Sequence, residues 1–266
     1  LMLKVIFIFI FLFNLSYSSD KDQMMICDRC HSHNDYLNNV PILNALNYGY
    51  KSIEVDIVLD KNQLYVAHYW WTKKKDVFIN NTYLDTLYKI FNDNDGSIYK
   101  NNNPLILLVD IKSSPNETYE VFNRLLNNYK PMLSYVINDS FVQGAVTIIL
   151  SGKRPVIEYL KKSTKRYVFI DGRKSDLGKS ISKNVMPIIS INWKKEFNWR
   201  GYKEFPMKEE EHLLELVKKV HSEGKMIRFW GSPDNIKSWE LLYLNDVDLI
   251  NTDKVAELYN YISTNK

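Results

Sequence analysis

The stretch Ile53-Glu54-Val55-Asp56-Ile57 alternates acidic side chains with β-branched aliphatic ones. A β-strand points successive side chains to opposite faces, so both carboxylates lie on one face and the aliphatic side chains on the other. Apolar neighbours of this kind are typical of an interior parallel strand that is covered on both faces. Because unpaired buried carboxylates are costly, this strand is expected to carry a cation site.

A second acidic strand and two histidine segments accompany this stretch. Leu108-Val109-Asp110-Ile111-Lys112 ends the next apolar run, while Val66-Ala67-His68 and His31-Ser32-His33 supply imidazoles. Carboxylates and imidazoles at strand ends fit a hard divalent cation beside acid–base groups, a combination suited to reaction at a phosphate ester. We therefore predict one divalent cation, Mg²⁺ or alternatively Ca²⁺, with the following ligands: Glu54, Asp56 and Asp110.

Apolar runs recur along the chain, with amphipathic stretches between most of them. The main strands are predicted at Met24–Arg29, Lys51–Leu59, Leu105–Ile111, Val146–Leu150, Tyr167–Asp171, Ile188–Asn192, Met226–Trp230 and Val247–Asn251, with a short hairpin strand at Gln63–Ala67. The helices are predicted at Val40–Asn47, Tyr83–Phe91, Asn116–Asn128, Arg154–Lys161, Glu209–His221, Asn235–Leu244 and Lys254–Ile262. Strands that alternate with helices imply a parallel sheet.

This count of strands predicts the α/β class and a single-domain (β/α)8 barrel of the TIM type over residues 20–266. An open doubly wound sheet is the alternative, but no glycine-rich nucleotide loop follows the first strand. In a barrel, reactive side chains gather at the carboxyl ends of the strands, which is where the acidic and imidazole residues fall.

Composition narrows the class of protein further. The chain has 266 residues, of which 45% are hydrophobic and 25% charged, and this balance indicates a globular domain. The net charge is +4 and the basic residues are scattered. A nucleic-acid-binding protein usually concentrates lysine and arginine on one face, so we expect no nucleic-acid partner.

The first residues have the pattern of a secretory signal peptide. Lys4 precedes the apolar run Val5–Phe13, and small residues follow at Ser16 and Ser18. The apolar run is much shorter than the roughly 20 residues that a membrane-spanning helix needs. We therefore expect a signal peptide at residues 1–19 and a secreted protein. Secretion would expose three N-glycosylation motifs, which begin at Asn80, Asn116 and Asn138.

The segment Cys27-Asp28-Arg29-Cys30-His31 contains both cysteines of the chain. It matches the c-type haem attachment motif, but the pattern is short and His31 has another use, so we expect no haem. In an extended strand, Cα atoms three residues apart are separated by about 10 Å. A disulfide usually needs less than about 7 Å. We therefore expect the strand to be kept and the two cysteines to stay reduced or only partly oxidised.

These segments together resemble the phospholipase-C-like phosphodiesterases. That group includes the glycerophosphodiester phosphodiesterases and the sphingomyelinase D type phospholipases. Within it, four strings resemble a branch called altered inheritance of mitochondria protein six: His31–Tyr36, Asp171–Leu177, Arg228–Asp234 and Asp248–Asp253. Ser32 stands where glycerophosphodiesterases usually have arginine, so the resemblance concerns phosphodiester chemistry rather than glycerophosphodiester specificity.

The resemblance implies a TIM-type barrel, a divalent cation and a phosphodiester substrate of the small-molecule or lipid type. Glu54, Asp56 and Asp110 match the metal carboxylates of the group, and His31 and His68 match its general acid and base. The positions implied for substrate binding are Lys112, Trp230 and Asn34. The expected activity is that of a phosphoric diester hydrolase of lipid metabolism, which forms a cyclic phosphate if a substrate hydroxyl attacks.

Three alternatives stay open at this point. His31 is the first choice for the acid–base role because it directly follows the first predicted strand, and His33 is the alternative. The cluster Trp70–Lys75 either rests transiently on a membrane surface or covers the mouth of the barrel. The barrel as a whole is either an enzyme or an inactive relative that binds a lipid headgroup or a protein.

Overall fold

The computed structural model describes residues 25–160 and 164–265. Its strands, in chain order, are β1 (Cys27–Ser32), β2 (Tyr50–Asp60), β3 (Gln63–Val66), β4 (Leu105–Ile111), β5 (Tyr135–Ile137), β6 (Ser140–Val142), β7 (Val146–Gly152), β8 (Lys165–Arg166), β9 (Val168–Gly172), β10 (Ile188–Asn192), β11 (Met226–Trp230) and β12 (Leu249–Thr252). Its helices are α1 (Leu43–Asn47), α2 (Asp85–Asp93), α3 (Pro115–Leu126), α4 (Ile157–Leu160), α5 (Trp193–Glu196), α6 (Met207–Ser222), α7 (Ile236–Leu244) and α8 (Val255–Thr264). Among the described residues, no helix is long and apolar enough to cross a membrane.

Eight parallel strands close into a barrel, as the sequence predicts. They follow the order β1-β2-β4-β7-β9-β10-β11-β12, and β1 closes the ring because it pairs with both β12 and β2. Strand β3 pairs antiparallel with the end of β2, while β5, β6 and β8 form a separate small sheet. A 3₁₀ turn at Lys174–Asp176, rather than a helix, connects β9 to β10. The α/β barrel fold is thereby confirmed.

The strands separate two packed regions because their side chains alternate. Outward-facing aliphatic side chains such as Ile53, Val55 and Val109 pack against the surrounding helices in the main core. A smaller apolar cluster, which includes Ile106, Ile149 and Phe169, lies on the opposite faces of the strands. Farther along those same faces the side chains become polar, and this places the chemistry at the carboxyl end of the barrel.

Element bounds agree best where an apolar run is uninterrupted. The bounds of β4, β10 and β11 match the prediction residue for residue. Strand β1 instead runs from Cys27 to Ser32, three residues later than predicted. Residues Met24 and Lys161, at the ends of two predicted elements, lie outside the described residues. The later position of β1 matters because it moves His31 onto the strand.

The expectation that the two cysteines stay reduced is wrong. Cys27 and Cys30 form a disulfide bond, and their Cα atoms are only 5.3 Å apart. The register of β1 against β2 shifts between Cys27 and His31, so the strand is not evenly extended there. This irregularity shortens the distance between the cysteines while Ser32 still pairs with both neighbouring strands.

Candidate active site

Three acidic side chains meet at the carboxyl ends of the neighbouring strands β2 and β4. Glu54, Asp56 and Asp110 each offer an oxygen atom, and these atoms all lie within 4.8 Å of one another. The parallel register sets Asp56 beside Asp110, and Glu54 lies two residues earlier on the same face of β2. The period of two read from the sequence therefore brings the three proposed ligands together.

In each of the two aspartates of this triad, one carboxylate oxygen has a hydrogen-bond or ion-pair partner within the protein. Asp56 Oδ2 accepts hydrogen bonds from the Tyr36 hydroxyl at 2.9 Å and from His68 Nδ1 at 2.5 Å. Asp110 Oδ2 lies 2.8 Å from Lys112 Nζ. Asp56 Oδ1 and Asp110 Oδ1 are both buried and accept no hydrogen bond from the described residues. Lys112 Nζ lies 3.4 Å from Asp56 Oδ1. Orphaned carboxylate oxygens of this kind fit a hard divalent cation.

The charges of the triad also favour a cation. Burial raises the pKa of Asp110 to about 6, and although Lys112 opposes the shift, the negative charges of Glu54 and Asp56 add to it. Burial first, and then the neighbouring carboxylates, therefore make Asp110 difficult to ionise in this position. A bound cation would favour the ionised form of all three carboxylates.

Gly152 forms a backbone wall against the triad. It ends β7 with a φ of +64°, and a Cβ built at this position would lie 1.8 Å from Asp110 Oδ1 and 2.6 Å from the Ile111 carbonyl oxygen. Both distances are far shorter than any contact between such atoms. Only glycine combines this backbone conformation with the observed position of the Asp110 carboxylate.

His31 lies inside the barrel and not at its mouth. Its side chain is fully buried on β1. Burial and, next, the charge of Arg228 lower the pKa of His31 to about 4, so the ring is neutral. Its Nε2 donates to Glu54 Oε2 at 2.9 Å, and its Nδ1 accepts a hydrogen bond from the Ser52 hydroxyl at 2.8 Å. Both ring nitrogens are therefore occupied within the protein.

An ion pair lies beside His31 in the same buried layer, which consists of His31, Ser52, Glu54, Arg228 and Asn251. Arg228 Nη2 lies 2.7 Å from Glu54 Oε2, and Arg228 Nε donates to Asn251 Oδ1 at 2.8 Å. Burial alone would raise the pKa of Glu54, but Arg228 and the hydrogen bond from His31 hold it well below its usual range. Glu54 therefore stays ionised, and Arg228 and His31 compensate its charge from the side of the buried layer.

His33 and His68 lie at the mouth of the barrel, each oriented by a carboxylate. His33 Nδ1 donates to Asp253 Oδ1 at 2.8 Å, and His68 Nδ1 donates to Asp56 Oδ2. The two side chains are 32% and 41% exposed, in contrast to fully buried His31. Their Nε2 atoms make no hydrogen bond to the described residues. Each imidazole thus keeps one nitrogen available for a substrate.

The loop after β1 holds His33 in place through a buried carboxylate, that of Asp35. One oxygen of Asp35 accepts from the Ile42 amide at 2.5 Å and the Tyr83 hydroxyl at 3.0 Å, and the other accepts from the Ser32 hydroxyl at 2.9 Å. Asn34 adopts a left-handed conformation with a φ of 46°, which turns the chain sharply after His33. These contacts anchor the loop on both sides of its turn.

A cavity of about 450 Å³ opens above the buried layer. Of the nine predicted site residues, all but His31 and Asp56 line it: His33, Asn34, Glu54, His68, Asp110, Lys112 and Trp230. The site predicted from the sequence is therefore largely one continuous space. Asp56 adjoins that space through its hydrogen bond to His68, whereas His31 is shielded from it.

Two arginines that line the cavity escape the sequence-based prediction. Arg228 belongs to the buried layer, and Arg173 donates to the Gly152 carbonyl at 2.9 Å while its Nη1 lies 3.6 Å from Asp171 Oδ2. A signal for Arg228 exists in the sequence, because it alternates with apolar residues on β11 as Glu54 does on β2. Arg173 directly follows β9, so its position at a strand end is also a signal for the cavity.

Comparisons with known proteins place this barrel in a family. Residues 20–171 match the family described as the AIM6-like phosphodiesterase domain. The altered inheritance of mitochondria protein 6 of Eremothecium gossypii is 30% identical over 266 positions, which cover 86% of this chain and 68% of that relative. The chain belongs to this family. A homologue of that protein from Arthroderma benhamiae is 24% identical to this chain, and the match covers 92% of this chain and 87% of the homologue.

Solved structures that resemble the AIM6-like domain support the fold. A glycerophosphodiester phosphodiesterase from Parabacteroides distasonis has a TM-score of 0.53 at 15% identity, with 90% of this chain and 98% of that chain covered. The enzyme of the same name from Agrobacterium tumefaciens has a TM-score of 0.50 at 12% identity and covers 90% and 100%. At these identities the likeness concerns the barrel fold alone.

The expectation of a secreted protein is wrong. The relatives of the AIM6-like domain carry names that refer to the inheritance of mitochondria and not to export from the cell. The predicted signal peptide, residues 1–19, lies outside the described residues. The expectation of N-glycosylation depended on secretion and loses its basis.

Proposed function

We propose that this AIM6-like domain cleaves phosphodiesters with the help of one divalent cation. The observation that carries the proposal is that a triad of carboxylates and two carboxylate-oriented imidazoles border one cavity. A cation bound by Glu54, Asp56 and Asp110 would draw charge from the non-bridging phosphate oxygens. Hard oxygen ligands favour Mg²⁺ or Ca²⁺ over softer metals.

His33 and His68 are the proposed acid–base pair, so His33 takes the role that the sequence favoured for His31. A carboxylate at Nδ1 fixes the tautomer of each ring and leaves Nε2 for the reaction. One Nε2 accepts the proton of the attacking oxygen, which belongs to water or to a substrate hydroxyl. The other Nε2 donates a proton to the leaving oxygen.

Lys112 and Arg173 are the proposed contacts of the phosphate group. Burial alone would lower the pKa of Lys112, but Asp110 and Asp56 raise it, so the ammonium stays charged. The Arg173 side chain is 36% exposed and makes only one hydrogen bond to the described residues. Its remaining donors are suited to phosphate oxygens. Asn34 and Trp230 complete the lining on the substrate side.

The test is a panel of phosphodiesters followed by phosphorus NMR. A glycerophosphodiester, a single-chain lipid phosphodiester and a double-chain lipid phosphodiester are incubated with Mg²⁺, with Ca²⁺ and with excess chelator. The phosphorus spectrum separates a phosphomonoester from a cyclic phosphate, which identifies the attacking group. Asp110→Asn is the inactive variant, and His221→Ala is the control because its imidazole pairs with Asp248 on the surface.

We expect turnover of at least one diester, restored after chelation by a divalent cation and lost in Asp110→Asn. Full activity in excess chelator would contradict the role of the cation. No turnover of any diester by the well-folded, metal-loaded protein would favour the other reading of the barrel, an inactive relative that binds a headgroup or a protein.

A further inference from the structure

A second cavity of about 450 Å³ lies beside the catalytic one. The two share Asn34 and His68 in their walls, so they meet at a residue proposed to transfer a proton. The volume falls within the roughly 300–1,000 Å³ that is usual for ligand pockets. This second cavity, which we call the side groove, is open to solvent.

Two segments of chain form the side groove. One wall is the loop after β1, with Leu37 and Pro41, and the other is the end of β3 and the loop beyond it, with Val66, Ala67 and Val77. Seven of the twelve lining residues are aliphatic or aromatic, whereas Lys74 and two threonines add polar groups to the same cavity. Leu37 is 72% exposed. A mainly apolar channel favours a hydrocarbon ligand, because the contact removes apolar surface of both the ligand and the wall from water.

An ordered aromatic cluster stands beside the groove. Tyr69, which lines the groove, stacks on Trp71 with ring centroids 4.7 Å apart and packs edge-on against His68 at 4.3 Å. Lys73 Nζ lies 4.5 Å from the ring centre of Trp70. Trp70 and Trp71 are nevertheless 62% and 73% exposed. The rings are held in place yet keep their apolar faces in water, which suits a ligand that brings its own apolar surface.

We propose that the side groove binds a hydrocarbon chain of the substrate, so that the substrate class is a lipid phosphodiester with a chain on one side of the phosphate. This rests on the proposed function. The argument is charge complementarity: cationic Lys112 and Arg173 line one cavity, whereas most residues that line the other are aliphatic or aromatic and Lys74 is its single lysine. His68 borders both cavities. An amphiphile matches that division, with its anionic phosphate in one space and its chain in the other.

The position of His68 also assigns a direction to the reaction. The chain leaves the phosphate past His68, so the oxygen that carries the chain lies on the His68 side. His68 then donates the proton as the bond between phosphorus and that oxygen breaks, and the chain-bearing alcohol is released. His33 removes the proton of the attacking oxygen, so the phosphate stays with the other substituent or forms a cyclic phosphate with it.

The test measures binding with probes whose chain cannot be cleaved from phosphorus. Methyl esters of methylphosphonic and octylphosphonic acid carry the same single negative charge and differ only in the chain. Their dissociation constants are measured by calorimetry with Mg²⁺ present and below the concentration at which the octyl compound aggregates. Burial of one methylene tightens binding about fourfold, so burying about half of the added chain predicts about 100-fold tighter binding of the octyl probe.

Leu37→Asp provides the matched variant, because it places a charge in the groove at an exposed position that the fold does not need. We expect it to reduce the ratio between the two dissociation constants about tenfold. Leu244→Asp is the control, since Leu244 is 71% exposed on α7 and does not line the groove. Thermal unfolding verifies that both variants are folded.

Each outcome decides one of the two proposals. Equal binding of both probes, or a chain-length preference that Leu37→Asp leaves intact, would overturn the groove as a chain site. Tight binding of the octyl probe by a protein that cleaves no phosphodiester would keep the groove and overturn the proposed function. Turnover of short diesters with no preference for a chain would keep the proposed function and overturn the groove as a chain site.

Discussion

His31 and His33 lie two residues apart at the end of the same strand, yet they belong to different regions. His31 is enclosed in the buried layer, where Glu54, Ser52 and Arg228 satisfy or compensate each polar group. His33 lies in the cavity, where one ring nitrogen has a partner and the other does not. In the buried layer, Arg228 and His31 compensate Glu54 from one side, whereas the cavity leaves oxygens and nitrogens without a hydrogen-bond partner among the described residues. That difference is the basis of the proposed division between groups that support the site and groups that act in it.

The largest expected effect is on catalysis, and it should distinguish the two regions directly. Replacing His33 or His68 by alanine should lower kcat by about 10²–10⁴-fold, because each change removes a proton-transfer group. The free energy of unfolding should change little, since both side chains are partly exposed. His31→Gln should have the opposite profile, with a loss of stability and a smaller loss of kcat. A crippling His31→Gln with unchanged stability would show that the wrong histidine is assigned.

The next effect is on stability, and it arises in the buried layer. Arg228→Met leaves the Glu54 carboxylate buried without its guanidinium partner, so the free energy of unfolding should fall by about 3–5 kcal/mol. Arg173→Met removes the same charge from a partly exposed position and should cost less than about 1 kcal/mol. Urea unfolding of the two variants measures the difference. Equal losses would mean that the buried layer is less tightly enclosed than the contacts indicate.

Acid should weaken the buried layer through His31. The unfolded chain protonates this histidine near pH 6.5, whereas the folded protein keeps it neutral down to about pH 4. The unfolded state binds the extra proton, so this contribution is complete above pH 6.5 and is lost as the pH falls to 4. The stability advantage of the wild type over His31→Gln should therefore be about 3 kcal/mol smaller at pH 4 than at pH 7. Unfolding curves of both proteins in chelator provide the measurement. A stability difference that is the same at pH 4 and pH 7 would contradict the prediction.

The smallest expected effect concerns the orientation of His33. Burial lowers the pKa of His33, but the hydrogen bond to Asp253 and the charges of Glu54 and Asp253 raise it above its usual value overall. Asp253→Asn should lower that pKa and reduce kcat several-fold, with little change in stability because Asp253 is exposed. The acidic limb of the pH–rate profile should move to lower pH. If the acidic limb does not move, a group other than His33 is responsible for it.

The barrel and the acidic triad can be read from the sequence, because both rest on local periodicity. Glu54 and Asp56 share a face wherever β2 pairs, and the apolar run of β4 defines its own ends. The burial of His31 could not be read in this way. The end of β1 depends on pairing with β12, and the His33 amide donates to the Thr252 carbonyl far along the chain. Only ring closure decides which histidine is enclosed.

The disulfide shows a second limit of local reasoning. Even spacing along a strand predicts that Cys27 and Cys30 are too far apart, but the register of β1 shifts against β2 between Cys27 and His31. A bulge depends on the partner strand as well as on the residues themselves.

Gly152 offers a way to classify other chains of this family by reading one position. A sequence could keep all three carboxylates and still be unable to hold a cation if any larger residue stood at this place, because its Cβ would occupy the space of the Asp110 carboxylate. Such a chain would keep the acidic residues of the triad without the cation site that we propose. Glycine at this position would then distinguish the chains that can form the proposed cation site from the chains that cannot.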